Sequence, residues 1–137
     1  MNLIKLNNKI FRSTQVYLDK ILKKYKLSSG SYPYLLILIK NEGINQNLIS
    51  EELGCDKSMS ARTILKLIDL GYIYRKKDED DCRANKLYLS EKARLVVPNI
   101  LQEIHKLIDL ITKDLDQDEK TITLDSLNKI LNTIKKI

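Results

Sequence analysis

The stretch Leu53-Gly-Cys-Asp-Lys-Ser-Met-Ser-Ala-Arg-Thr-Ile-Leu-Lys-Leu-Ile-Asp-Leu-Gly-Tyr-Ile73 decides how this chain is read. Gly54 breaks one helix, and Asp56 is a good N-cap for the next, which the pattern runs from Lys57 to about Leu70 with Ile64, Leu65, Leu67 and Ile68 facing inward. Gly71 stands where a helix-closing glycine belongs. Upstream, Asn47-Leu-Ile-Ser-Glu-Glu-Leu53 forms a short helix, and Ser50 is small enough for two helices to pack closely. Downstream, Tyr72-Ile-Tyr-Arg-Lys-Lys77 and Lys86-Leu-Tyr-Leu89 are β-like runs around the acidic, turn-forming tip Asp78-Glu-Asp-Asp81, which reads as a hairpin. A short helix, a tight turn, a second helix and a hairpin outline a winged helix-turn-helix. In that unit the first helix braces the second, whose N-terminal turn enters a major groove.

The flanks are helical. Leu6, Ile10, Thr14, Val16, Tyr17, Ile21 and Tyr25 recur at a spacing of three to four, which predicts an amphipathic helix over 5–26. Gly30 is expected to end it and Ser31 to cap the next, with Pro33 in that helix's first turn. Tyr34-Leu-Leu-Ile-Leu-Ile39 is apolar all round, as in a buried central helix, and Gly43 closes it. After Ser90-Glu-Lys-Ala, the residues Val97, Leu101, Ile104, Ile108, Ile111 and Leu115 form a heptad seam on a long helix. Leu124, Leu127, Leu131 and Ile134 mark a terminal one. The fold class is mainly α with a small β-hairpin wing. The apolar seams at 3–21 and 97–137 exceed what a small winged domain needs for its own core, so both ends read as dimerisation helices.

Composition agrees. The chain has 137 residues, 43% hydrophobic and 31% charged, with 4 Gly and 2 Pro, which argues against disorder and against a turn-rich all-β chain. The net charge of +6 allows a polyanionic partner. Residues 1–30 hold seven Lys/Arg against one acid, and residues 53–94 hold ten against seven. The longest uncharged stretch, Leu27 to Ile39, is too short to cross a bilayer, so no membrane partner is expected. Lys5 and Lys9 precede any apolar run, so no secretory signal is expected. Two cysteines, Cys55 and Cys82, make no disulfide framework and suit a reducing cytoplasm. The single histidine, His105, argues against a metal site. There is no Gly-rich phosphate loop, no nucleophile paired with a second general base and no convergent carboxylate pair. No enzymatic activity and no cofactor are expected.

The recognition helix opens Lys57-Ser-Met-Ser-Ala-Arg62, a cation, two hydroxyls and an arginine able to reach base edges or phosphates. Together these residues resemble the multiple-antibiotic-resistance-regulator (MarR) family of bacterial transcription factors. Leu53 to Ile73 is similar to its helix-turn-helix signature. Asp81-Cys-Arg-Ala-Asn-Lys-Leu-Tyr-Leu-Ser-Glu-Lys92 is similar to its wing, where Asp-x-Arg precedes a strand and a Ser/Thr-Glu-Lys helix start. The resemblance spans the whole architecture. It implies a single domain over 1–137, with a DNA-binding lobe at about 31–92 and dimerisation helices at about 1–27 and 93–137.

It also implies roles for single residues. Lys57, Ser58, Ser60 and Arg62 would face the major groove, with Met59 and Ala61 plainer than the residues often found there. Arg83 would enter the minor groove from the wing tip, its guanidinium held by a charge-assisted hydrogen bond that the Asp81 carboxylate accepts. The protein would be a homodimeric repressor on double-stranded DNA with a palindromic operator, released by a small aromatic or phenolic effector. Tyr17, Tyr25, Tyr32 and Tyr34 lie where such a pocket would be lined. Two rival readings are a winged protein-interaction module without DNA affinity and a regulator responding to oxidation of Cys55 or Cys82. The family's usual sensor cysteine lies near the first helix, where this chain has none, and Asp81 opposes activation of Cys82.

Overall fold

A computed structural model describes residues 2–81 and 83–137. The element order is α1 (Leu3–Leu22), a 3-10 turn (Lys23–Tyr25), α2 (Tyr32–Lys40), β1 (Ile44–Asn45), α3 (Gln46–Leu53), α4 (Lys57–Asp69), β2 (Ile73–Lys77), β3 (Asn85–Leu89), α5 (Glu91–Ile111) and α6 (Gln117–Lys135). The chain divides into two compact units, residues 1–101 and residues 102–137.

In the first unit each helix has a local reason to start or stop. Asn2 caps α1 by accepting the Lys5 N–H at 2.9 Å. Lys26, not Gly30, turns the chain after α1. It adopts a left-handed φ of 59°, and its N–H bonds the Lys23 carbonyl at 2.9 Å. Ser31 does not cap α2 through its side chain. Its hydroxyl instead accepts the Ser28 N–H at 2.9 Å and ties the connecting turn together. Gly54 ends α3 at φ 67°, where a Cβ would cost about 1–2 kcal/mol, and lets the turn reverse within three residues.

The core of this unit gathers Leu22 from α1, Tyr34, Leu35 and Leu38 from α2, Ile49 from α3, Ile64 and Leu67 from α4, Leu87 and Leu89 from β3, and Val97 and Ile100 from α5. The three strands run antiparallel in the order β1-β3-β2. Ile73 lies opposite Leu89 and Lys77 opposite Asn85, while the two-residue β1 pairs Ile44 with Leu87. A two-residue strand carries no alternation, so β1 left no sign in the sequence. Leu65, expected to face inward, is 47% exposed, because three-residue steps from Arg62 keep it on the solvent side of α4.

The second unit holds the last turns of α5 and all of α6. A capping box starts α6: Asp116 accepts the Glu119 N–H at 2.8 Å, and the Glu119 carboxylate accepts the Asp116 N–H at 3.2 Å. Ile108, Thr112 and Leu115 face Lys120, Thr123 and Leu124 across a cavity of about 130 Å³. Leu115, expected on the heptad seam, lies beyond the end of α5 in the turn that leads to α6. Ile108, Ile111, Leu124, Leu131 and Ile134 are exposed.

Candidate nucleic-acid interface

The start of α4 is fixed by one carboxylate. Asp56 Oδ1 accepts the backbone N–H groups of Ser58 (2.9 Å) and Met59 (3.0 Å) and the Ser58 hydroxyl (2.7 Å). The Met59 N–H first, then the Ser58 hydroxyl, hold the Asp56 carboxyl below its ordinary range. With its proton given to Asp56, the Ser58 hydroxyl turns lone pairs outward and presents an acceptor. Lys57, Ser58, Met59 and Arg62 are exposed along the first turns. Leu65 and Lys66 continue that face; the sequence pattern hid Leu65, since an apolar residue beside Ile64 reads as core.

Ser60 corrects the expectation that it faces the groove. It is 0% exposed, and its hydroxyl accepts a hydrogen bond from the Tyr34 hydroxyl at 3.1 Å. Four residues separate Ser60 from the core residue Ile64, so the helical period carries it to the inner side. The same bond removes Tyr34 from the expected effector pocket, for Tyr34 is 1% exposed and spends its hydroxyl inside the core. Burial pushes its hydroxyl pKa up.

The wing tip is a backbone-bonded loop. Asp78 N–H bonds the Ala84 carbonyl at 3.0 Å, and Ala84 N–H bonds the Asp81 carbonyl at 3.0 Å. Asp81 Oδ1 accepts the backbone N–H of Arg83 at 3.0 Å. Asp81 thus orients the chain at Arg83; among the described residues no ion pair joins their side chains, contrary to the expected charge-assisted hold on the guanidinium. Arg83 is exposed. Lys86 pairs with Asp78 at 3.9 Å. Cys82 lies outside the described residues.

The blade of the wing is stiffened on its outer side. The Tyr74 and Tyr88 rings stack with centroids 5.5 Å apart, and Lys76 lies over both. Gly43, at φ 82°, passes beneath Tyr88: a Cβ there would come within 3.3 Å of the Tyr88 hydroxyl. The base of the wing is held by Glu42, whose carboxylate accepts the Leu89 N–H at 3.0 Å and pairs with Arg94. The Leu89 N–H, then Arg94, lower its pKa.

The other expected site residues do not converge. Tyr17 is exposed on α1, Tyr32 is half-buried with its hydroxyl pKa raised by burial, and Tyr25 lines a cavity of about 390 Å³. Cys55 is half-buried, its Sγ 3.8 Å from the Leu53 carbonyl oxygen. His105 is exposed. Among the described residues no group of three or more His, Cys, Asp or Glu could hold a metal ion, and no helix is long and apolar enough to cross a membrane.

A capped helix with an exposed polar and basic first turn, braced by α3 and flanked by a three-stranded wing, defines a winged helix-turn-helix of the DNA-binding regulator class. The MarR family model matches residues 27–84. The HTH-type transcriptional regulator BilQ of Clostridioides difficile (strain CD3) is 32% identical over 126 residues, which cover 92% of this chain and 82% of that protein. This chain therefore belongs to the MarR family of transcriptional regulators, and it is not an enzyme. A MarR transcriptional regulator from Methanosarcina mazei Go1 shares the fold at a TM-score of 0.88 and 30% identity, over 97% of this chain and 96% of that one. A MarR family transcriptional regulator from Listeria monocytogenes, crystallised with a 26mer DNA, shares the fold at a TM-score of 0.91 and 23% identity, over 98% and 89% of the two chains.

Proposed function

We propose that the chain is a homodimeric repressor that grips a palindromic DNA operator with the first turns of α4 and the wing arginine, and that a small-molecule effector releases it. The observation that carries this reading is the exposure of Lys57, Ser58, Met59 and Arg62 on a helix start fixed by Asp56, with Arg83 exposed on the adjacent wing. The helix N-terminus and Lys57 favour phosphate. Arg62 has the fork that suits the major-groove edge of guanine, and Met59 offers apolar surface to a thymine methyl. Arg83 suits a narrow minor groove, where negative potential is concentrated.

A second copy of the chain is the partner on which the palindrome depends. On α1 the residues Leu3, Ile4, Leu6, Ile10 and Phe11 are exposed, and so are Ile122, Leu124, Leu131 and Ile134 on α6. Each of the two helices thus exposes several large apolar side chains of its own, the kind of surface that a partner chain covers. Residues 31–92 then act as the DNA-binding lobe, and 1–27 and 93–137 as dimerisation helices. A two-fold pair sets two recognition helices roughly 34 Å apart, one DNA turn. Release occurs if the effector binds more tightly to a dimer whose recognition helices are wrongly spaced. Tyr25, on the wall of the 390 Å³ cavity, is the tyrosine best placed to meet an effector.

The test is a titration of the purified protein onto DNA from upstream of its own gene, with unrelated competitor DNA, at two salt concentrations. Binding that survives competitor near physiological salt is expected, together with a footprint of two-fold symmetry. Weak binding that competitor and salt both abolish would leave only the non-specific phosphate attraction and defeat the operator reading.

A further inference from the structure

A serine hydroxyl carries one proton and two lone pairs and rotates to suit its partner, so a serine on a DNA-binding face ordinarily says nothing about the base it meets. Ser58 lacks that freedom. Its hydroxyl lies 2.7 Å from Asp56 Oδ1, and the same oxygen accepts the Ser58 and Met59 backbone N–H groups at 2.9 and 3.0 Å. An ionised carboxylate only accepts, so the proton in the bond between Ser58 and Asp56 is the serine's. The Met59 N–H, then the Ser58 hydroxyl, hold the Asp56 carboxyl below its ordinary range, which keeps it ionised at neutral pH. Lone pairs are what the exposed Ser58 hydroxyl has left to offer.

The neighbouring side chains do not duplicate that role. Lys57 and Arg62 are exposed and hold donors without an acceptor, Met59 is exposed with a weakly accepting thioether, and Ser60 is buried against Tyr34. Donating to a carboxylate also polarises the hydroxyl, which strengthens it as an acceptor while the serine itself stays neutral. To donate to guanine O6, thymine O4 or a phosphate oxygen, Ser58 must give up a charge-assisted bond, about twice as strong as one between neutral groups. The major-groove groups that donate are the exocyclic amines, adenine N6 and cytosine N4. An acceptor held at one place therefore separates adenine from guanine, and cytosine from thymine.

We propose that Ser58 is a specificity-determining residue whose hydroxyl accepts a hydrogen bond from the exocyclic amino group of a major-groove base, adenine N6 or cytosine N4, and that Asp56 is the residue that positions it. The inference rests on the reading, proposed above, that the first turns of α4 enter the major groove.

The test is selection of bound duplexes from a randomised DNA library, with the unaltered protein and with Ser58→Ala, followed by affinity titrations on the selected site. The unaltered protein is expected to select adenine or cytosine at a position where Ser58→Ala shows no such preference; adenine there marks N6 as the donor, and cytosine N4. The same base without its amino group, purine for adenine or pyrimidin-2-one for cytosine, should weaken the unaltered protein about three- to tenfold more than Ser58→Ala. Any weakening of the base pair itself is common to both proteins and cancels in that comparison. Asp56→Asn keeps a residue of equal capping rank at the start of α4, so α4 should still form. Its amide holds the hydroxyl proton less firmly and can donate to the serine, so guanine or thymine should now be admitted at the same position. Base preference is the readout there, because losing the carboxylate strengthens phosphate attraction for every sequence. Preference unchanged in Asp56→Asn would overturn the positioning role. Guanine or thymine selected by the unaltered protein at the Ser58-dependent position, or a Ser58→Ala loss spread evenly over all sequences, would overturn the acceptor role. A recurrent site indifferent to Ser58 defeats this inference alone, whereas a selection that yields no recurrent site defeats the operator reading and this inference with it.

Discussion

The bond between Tyr34 and Ser60 joins the central helix α2 to the inner face of the recognition helix, and it makes a measurable claim. Both side chains are buried, and the two oxygens lie 3.1 Å apart. Tyr34→Phe leaves the Ser60 hydroxyl enclosed without that donor, and Ser60→Ala leaves the Tyr34 hydroxyl without its acceptor. Stranding one member of such a pair costs about 1–3 kcal/mol, whereas replacing both by apolar groups of like shape is nearly neutral. Ser60→Ala also gains about 0.5 kcal/mol of helix propensity, so the serine variant should be the milder of the two. That gain appears on both arms of a double-mutant cycle and cancels in the coupling. The assay is urea unfolding at one fixed protein concentration, because the midpoint of the proposed dimer would move with concentration. The double variant should be more stable than the sum of the single losses implies, by about 1–2 kcal/mol. Losses that add to within about 0.5 kcal/mol would refute the bond. A fall in DNA affinity confined to Ser60→Ala, with Tyr34→Phe silent, would return Ser60 to the DNA face.

Three further outcomes are expected. Arg62→Ala should cost about 1–3 kcal/mol in DNA binding and relax specificity at the base it contacts, and Arg83→Ala should weaken binding at wing-contacted positions; anisotropy titrations on operator variants measure both, and affinities unchanged by either would void the site assignment. Glu42 has a folded pKa below its ordinary 4.5, through the Leu89 N–H and then Arg94, so its contribution is fully present above about pH 5.5 and is lost as pH falls through the folded value. Glu42→Gln should therefore lower stability at pH 7 and flatten the acid limb of a pH–stability curve, and a limb of unchanged slope would contradict that account. Gly43→Ala should destabilise by at least about 1–2 kcal/mol, since its φ of 82° disfavours a side chain and the new Cβ meets Tyr88; a thermal midpoint equal to wild type would refute it.

The architecture is legible in the sequence because its punctuation is chemical. Asp56 as a cap, Gly54 and Gly71 as left-handed stops and the acidic, turn-forming tip between two β-like runs each have a local cause, and α4 begins and the wing folds where those residues stand. The failures are equally local. Propensity points to Gly30 for the turn after α1, because lysine is a poor left-handed residue, yet Lys26 makes it. Tertiary packing decides that point, and no propensity records it. Ser31 looks like a cap by type, but its hydroxyl is committed to the Ser28 N–H.

On the interface itself the sequence tells which residues are polar but not which way they point. Lys57-Ser-Met-Ser-Ala-Arg62 reads as one hydrophilic patch, yet a helix shows its residues at about 100° intervals, so two serines two positions apart must part company. Ser58 ends outside, bonded to the cap, and Ser60 inside, bonded to Tyr34. Position within the period decides between them, anchored by Ile64 and Leu67 on the buried side. The same logic turns Leu65 outward despite its apolar side chain. A surface built this way intersperses the cations Lys57 and Arg62 with the apolar side chains Met59 and Leu65. Such a face demands more of its partner than charge. Bare phosphate attraction would be served by lysines alone; on the DNA-binding reading proposed above, Met59 and Leu65 would instead gain contact with apolar base edges such as thymine methyl groups.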